Sequence, residues 1–378
     1  MSTFEDNGSM SPNTEQRLIA PLDEQRPWPQ ILRQGVIDLN QLENRGWLEQ
    51  SASTEALVEA QKALDIRVPE SFHSGIVRGD LSLSRQVIPS VQEVNIAPEE
   101  LEDPIGDERY APCPGLTHRY SDRALVKITY QCAMYCRFCF RRTKVSHPEE
   151  NLSFDALKPA YTYIEQHPEI TEVIFTGGDP LILTDKRLDE HLARVEAMPS
   201  IRTIRFHTRI TTALPERVTM ELCERLARSP KMVWIVAHIN SASELTSESI
   251  SALKRLRFAG VGLASQSVLL KGVNDSQEAL LELFGSLYAR GVVPYYLHYP
   301  DLARGTNHFR IPLEEAMALV SGLQGRLPGL AIPRLTIDIP GGYGKITVSS
   351  ENWRRADDGS WWFLSPTQKT WQKTDYPT

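Results

Sequence analysis

The chain has 378 residues, is 41% hydrophobic and 24% charged, and carries a formal net charge of −7. That length is ample for a large core, and the acidic balance argues against non-specific binding to nucleic acid or to an anionic membrane. No run of 18 apolar residues predicts a transmembrane helix, and the polar start MSTFEDNGSMSPNTEQ lacks an apolar signal core. A cytoplasmic protein with reduced thiols is therefore expected. Its five cysteines are an odd number and three are clustered, so they read as a metal or redox site and not as a disulfide framework.

Residues 1–16 are rich in Ser, Asn, Glu and Pro and are expected to be disordered. Residues 17–115 read as a helical region. STEALVEAQKAL has helical spacing, and RVPESFHSGI starts another helix after a proline. Residues 116–330 follow a different rhythm. Short β-branched runs at 124–130, 172–176, 203–207, 232–238, 261–268 and 292–298 predict strands. Helical patterns lie near 154–167, 185–197, 215–228, 244–258, 276–289 and 313–325. Six β-α units in succession predict an α/β fold with a parallel sheet and right-handed crossovers. They suit a partial (β/α)6 TIM-like barrel better than an open doubly wound sheet. Residues 331–378 read as a glycine-rich loop and a short C-terminal extension.

Polar residues gather where the predicted strands end. Cys132 follows the first and Gly177-Gly178-Asp179 the second. His207 and Arg209 end the third, and His238 and Asn240 the fourth. Gln266 lies late in the fifth, and His298 and Asp301 close the sixth. Parallel α/β folds build active sites on that face, so an enzyme is expected.

Cys132, Cys136 and Cys139 have the spacing C-x3-C-x2-C, with no second pair to complete a four-ligand zinc site. Three thiolates suit a four-iron cluster with one iron left open to bind a small molecule. Tyr135, Phe138 and Phe140 would shield it. Cys113 and Cys223 are isolated and read as structural thiols.

This spacing resembles the signature of the radical S-adenosylmethionine (SAM) superfamily. The segments GLTHRYSDRALVKITYQCAMYCRFCFRR, SQSVLLKGVND, GTNHFR and DIPGGYGK resemble, in order, lysine 2,3-aminomutase and its relatives over residues 66–348. The resemblance implies a [4Fe–4S] cluster on the three cysteines and SAM at the open iron. It also implies SAM contacts from Gly177, Gly178 and Asp179, with His207 and Arg209 beside them. Pyridoxal 5′-phosphate (PLP) would be bound by Lys345, with Arg119, Tyr120, Arg123, Gln266 and Ser267 around it. A glycine-rich loop lets backbone approach a cofactor, although Tyr343 interrupts the run before Lys345.

By the same resemblance, Arg141 would hold the substrate carboxylate, and Asp301 with Asp338 a distal ammonium. Two buried acids need a cation, so a cationic amino acid is expected. Lysine is the first choice, with arginine, ornithine or glutamate as alternatives, although a glutamate-specific relative would not be expected to keep both acids. The implied reaction moves the α-amino group to the β-carbon, with electrons from a reducing donor protein. A PLP-independent radical SAM enzyme and a non-catalytic iron–sulfur protein are the other classes. The extension has none of the cysteines that bind structural zinc in the family's longer members. Its tryptophans read either as a subunit contact in a homo-oligomer or as a tail packed on its own subunit.

Overall fold

The structure is a computed structural model describing residues 26–48, 53–348, 352–374 and 376. The stretch expected to be disordered, 1–16, lies outside the described residues.

Five short helices among the described residues precede the sheet. They are α1 (Trp28–Arg33), α2 (Leu39–Asn44), α3 (Thr54–Ala63), α4 (Glu70–Val77) and α5 (Leu81–Val87). Local chemistry starts them. The carboxylates of Asp38 and Asp80 accept from backbone N–H groups of α2 and α5, satisfying donors that a first helical turn leaves orphaned.

Nine strands form one sheet whose spatial order is their chain order. They are β1 (Leu116–Tyr120), β2 (Arg123–Thr129), β3 (Glu172–Gly177), β4 (Thr203–Thr208), β5 (Met232–His238), β6 (Gly262–Val268), β7 (Val293–His298), β8 (Arg334–Ile339) and β9 (Gly344–Thr347). Strands β2 to β8 are parallel, and β1 and β9 pair antiparallel at the two edges. The crossovers carry α6 (Lys158–Gln166), α7 (Asp185–Glu196), the short α8 (Ile210–Ala213), α9 (Met220–Ala227), α10 (Ser247–Phe258) and α11 (Gln277–Tyr288). The last, α12 (Leu313–Ser321), leads to β8. The six predicted strands and the helices between them are present within a few residues.

The sheet goes beyond the six-unit expectation by a seventh parallel strand and two edges. Strand β8, RLTIDI, alternates polar and apolar residues, yet it is buried at five of its six positions, with Thr336 and Asp338 enclosed as well as Leu335, Ile337 and Ile339. Pro333 and Pro340 bound it, as turn residues bound a strand. No backbone ladder joins β1 to β9. Side chains narrow that gap: the Lys345 N–H donates to Tyr120 Oη at 2.7 Å, and Arg119 Nη1 lies 3.5 Å from Asp338 Oδ1.

One continuous apolar core runs from the first helices through the barrel wall, including Val36, Phe72, Val126, Phe175, Phe206, Leu283 and Ile337. The tail forms a small antiparallel sheet of β10 (Trp353–Arg355), β11 (Trp361–Leu364) and β12 (Trp371–Thr374). Trp361 and Phe363 are fully buried in the same core, so this face of the tail packs on its own chain.

Candidate active site

The loop after β2 brings Cys132, Cys136 and Cys139 to one cavity at the carboxyl ends of the strands. A buried arginine between two of the cysteines anchors the loop from beneath. Arg137 donates to Glu93 through Nε (2.9 Å) and Nη2 (2.7 Å), and to the carbonyls of Ala60, Leu64 and Asp65. Glu93 also pairs with Arg142 at 2.6 Å. Both arginines are legible in CRFCFRR; their shared acid, 44 residues before Arg137, is not.

Burial, followed by the Asp179 carboxylate and the other two thiols, pushes Cys132 well above the ordinary thiol range. Burial and Cys136 push Cys139 up to about 11. Three thiolates together are thus unfavourable without a cation, and an iron centre supplies one. Among the described residues no three His, Cys, Asp or Glu side chains close round a single metal ion. Thiols spread over separate irons suit a cluster. Arg209 Nη1 donates to Cys136 Sγ at 3.3 Å and adds further positive charge.

The Gly177-Gly178-Asp179 turn lies against this loop. Gly177 has φ of 113°, and a Cβ there would sit 2.4 Å from the Thr129 carbonyl oxygen. A Cβ on Gly178 would sit 2.4 Å from the Gln131 carbonyl oxygen. The glycines therefore allow β3 to dock on the cysteine loop, where the Gly178 N–H donates to Thr129 O at 2.6 Å. The Asp179 carboxylate accepts from Leu181 N–H, Thr208 Oγ1 and the Arg209 N–H. Burial nevertheless pushes it up to about 6. His207 lines the cavity, is held neutral by burial, and leaves its Nε2 without a partner.

Arg209 is more constrained than its motif suggests. Its Nη2 bonds Glu244 at 2.6 Å and Gln86 at 3.0 Å. Glu244 also accepts from the N–H groups of Asn240 and Ser241 in a capping box. The SASE pattern at 241–244 is a readable signal for that cap. Gln86 arrives from α5 with no sequence signal.

At the β1–β9 gap, Lys345 Nζ contacts the Asp338 carboxylate and lies 3.2 Å from His298 Nδ1. Strand pairing sets Asp338 directly opposite Lys345. Burial and then Asp338 push Asp301 up to about 7, against the opposing pull of Lys345, Arg119 and Arg141. The Arg119 side chain is buried; Nη1 faces Asp338 Oδ1 at 3.5 Å, and neither Nε nor Nη1 makes a hydrogen bond, so the cavity has charged donors with capacity for an anion such as a phosphate. A reachable lysine and a guanidinium whose Nε and Nη1 make no hydrogen bond fit PLP.

The remaining expected residues divide. Gln266 lines the cavity, whereas Ser267 is fully buried and donates to the Ile239 carbonyl, because successive strand residues face opposite sides. Arg123 bonds Asp122 at 2.9 Å and stands outside the cavity. Tyr120 serves the Lys345 backbone. Arg141 lines the cavity, but its Nε and Nη2 both donate to Asp107 Oδ2, at 2.9 and 2.8 Å. Its Nη1 reaches Thr176 Oγ1 at 3.3 Å. Burial opposes ionisation of Asp107, yet Arg141 and Lys127 outweigh it and hold the acid at about 2.

A parallel barrel with three cysteines and a glycine turn at its carboxyl face defines a radical SAM protein, and residues 126–284 match the Radical SAM superfamily. The chain is 37% identical to L-lysine 2,3-aminomutase of Fusobacterium nucleatum subsp. nucleatum over 300 residues, 78% of this chain and 70% of that protein. It is 36% identical to the enzyme of that name from Clostridium subterminale, over 78% of this chain and 71% of that one. It is 39% identical to the one from Escherichia coli (strain K12), over 75% of this chain and 82% of that one. The chain belongs to the lysine 2,3-aminomutase family, and is a radical SAM aminomutase, an isomerase. Membership implies a [4Fe–4S] cluster, SAM and PLP.

Proposed function

We propose that the chain converts L-lysine to β-lysine. The observation that carries this reading is the acid pair. The Asp338 carboxylate lies close enough to Asp301 to disfavour ionisation of Asp301. In this structure the ammonium of Lys345 supplies the neutralising charge. Once Lys345 is committed to PLP, another cation is needed, and the side-chain ammonium of lysine provides it. The names of the relatives support the same substrate.

The chain's residues then divide the work. Cys132, Cys136 and Cys139 hold the cluster. Gly177, Gly178 and Asp179 shape the SAM side, with His207 and Arg209 next to the cysteines. Arg119 is the phosphate partner and Lys345 the covalent anchor for PLP. Bound SAM would supply a carbon radical able to remove hydrogen from the substrate β-carbon, and PLP a π-bond through which nitrogen can migrate. Arg141, steadied by Asp107, takes the carboxylate through the N–H groups of Nη1 and Nη2 that its bonds to Asp107 and Thr176 leave free. Phe138, Met134 and Val268 line the cavity and exclude water. A reducing donor protein and the cytoplasm complete the proposal, since the cluster needs an electron and its thiols a reducing compartment.

The test is anaerobic reconstitution with iron, sulfide, PLP, SAM and a reductant. Separate reactions contain lysine, arginine, ornithine or glutamate, with products read by mass spectrometry. β-Lysine from lysine is expected. Isomerisation of glutamate alone would overturn the acid-pair reading, and full turnover by Lys345→Ala would overturn the PLP assignment.

A further inference from the structure

We propose that His298 is a catalytic residue whose Nδ1 takes a proton from Lys345 Nζ when that amine makes its bond to PLP, and returns it when the substrate amine displaces Lys345. This rests on the assignment of Lys345 as the PLP lysine.

An ammonium has no lone pair, so Nζ must lose a proton before it can attack a carbonyl carbon. Two acceptors touch it: the Asp338 carboxylate and His298 Nδ1, the latter at 3.2 Å. Asp338 is poorly suited to the task. Its negative charge stabilises the ammonium, and its other oxygen faces Arg119. His298 ends β7, and Lys345 stands two strands away on β9, so the sheet itself sets their approach.

The imidazole is neutral in this setting. Burial first, and the Lys345 charge second, push it well below the ordinary histidine range. Around it stand Tyr296 on the same strand, His207 on β4, His238 on β5, Asp338 on β8 and Asp301 beyond β7. When the proton crosses, the positive charge that depresses His298 leaves Nζ. The acceptor therefore strengthens during the step that uses it. In that step an Nζ–H bond breaks and an Nδ1–H bond forms. The freed lone pair makes the bond to the aldehyde carbon, and the two remaining Nζ protons leave with the aldehyde oxygen as water.

The experiment follows capture of PLP by the full-length protein, freed of PLP and without SAM. Borohydride trapping and peptide mass spectrometry locate the attachment, from pH 6 to about 11, a range that brackets the ordinary lysine value of about 10.4. Wild type should capture PLP on Lys345 at a rate nearly flat above neutral pH. His298→Gln keeps an acceptor but cannot hold the proton, and His298→Ala keeps neither. Both should be about 10²-fold slower at pH 7, rising with pH until they meet wild type where Lys345 deprotonates unaided. Melting temperature and iron content confirm that the variants fold. A His298→Gln profile matching wild type would overturn the proposal. Attachment elsewhere than Lys345 would instead overturn the PLP assignment. Acetylation of Lys345 by acetic anhydride then decides the role of His298 alone: equal rates at pH 7 in wild type and His298→Gln would sink it.

Discussion

Asp301 shows how one buried acid can set both affinity and stability. Its folded pKa, about 7, lies above the ordinary carboxylate value near 3.9. The folded chain therefore binds that proton more tightly than the unfolded chain does. In the absence of a ligand cation, this contribution to stability is complete below about pH 4 and is lost as the pH rises to about 7. Substrate binding runs the other way, because a protonated Asp301 cannot pair with an ammonium. The KM for lysine should rise as pH falls below about 7, and Asp301→Asn should flatten that dependence while raising KM throughout. A KM for the wild type that is level from pH 6 to 8 would contradict it. Asp107 is the second telling residue. It is the shared counter-charge of buried Arg141 and Lys127, at 2.8 and 3.9 Å. Asp107→Ala leaves both cations unpaired and should cost about 3 kcal/mol in urea denaturation.

At the scale of elements, the cysteine loop and β3 form one unit. The loop's geometry is borrowed from its neighbours: Arg137 and Glu93 beneath it, and the Gly177-Gly178 turn against it. Gly178→Ala would drive a methyl group to 2.4 Å from the Gln131 carbonyl oxygen, so backbone must move. Reconstituted Gly178→Ala should bind less iron than wild type and melt several degrees lower. Normal iron content with an unchanged melting temperature would show that the turn is not needed for docking. The edge strands β1 and β9 form a second unit, in which Tyr120 Oη supports the Lys345 backbone at 2.7 Å. Tyr120→Phe removes that acceptor and should cost about 1 kcal/mol, with slower PLP capture on Lys345.

For the molecule as a whole, the site is assembled from both ends of the chain. Gln86 from α5 and Lys345 from β9 reach the same face of the barrel, and the C-terminal sheet seals the core behind it. Trp361 is fully buried, with Phe363 stacked 6.3 Å away. Trp361→Ala should destabilise the chain by about 3–5 kcal/mol, read as a lower denaturation midpoint. A loss under 1 kcal/mol would mean that the C-terminal sheet is only loosely attached.

The sequence by itself determined what depends on near neighbours. Six strands and their crossover helices were legible because periodicity, length and breakers are local properties. The cluster motif was legible because its three cysteines lie within eight positions. Strand β8 carried a readable signal, since RLTIDI alternates polar and apolar residues between two prolines, but it lies in the stretch read as a glycine-rich loop and extension. Only the fold decided that its polar positions Thr336 and Asp338 are buried too. Tertiary structure alone decided the pairings across long separations: Glu93 under Arg137, Asp107 on Arg141, Glu244 with Gln86 on Arg209, and His298 beside Lys345. It also decided which of two adjacent residues, Gln266 or Ser267, faces the cavity. The physical reason is the same in each case. A buried charge must find its partner in space, and the chain brings that partner from wherever the fold places it.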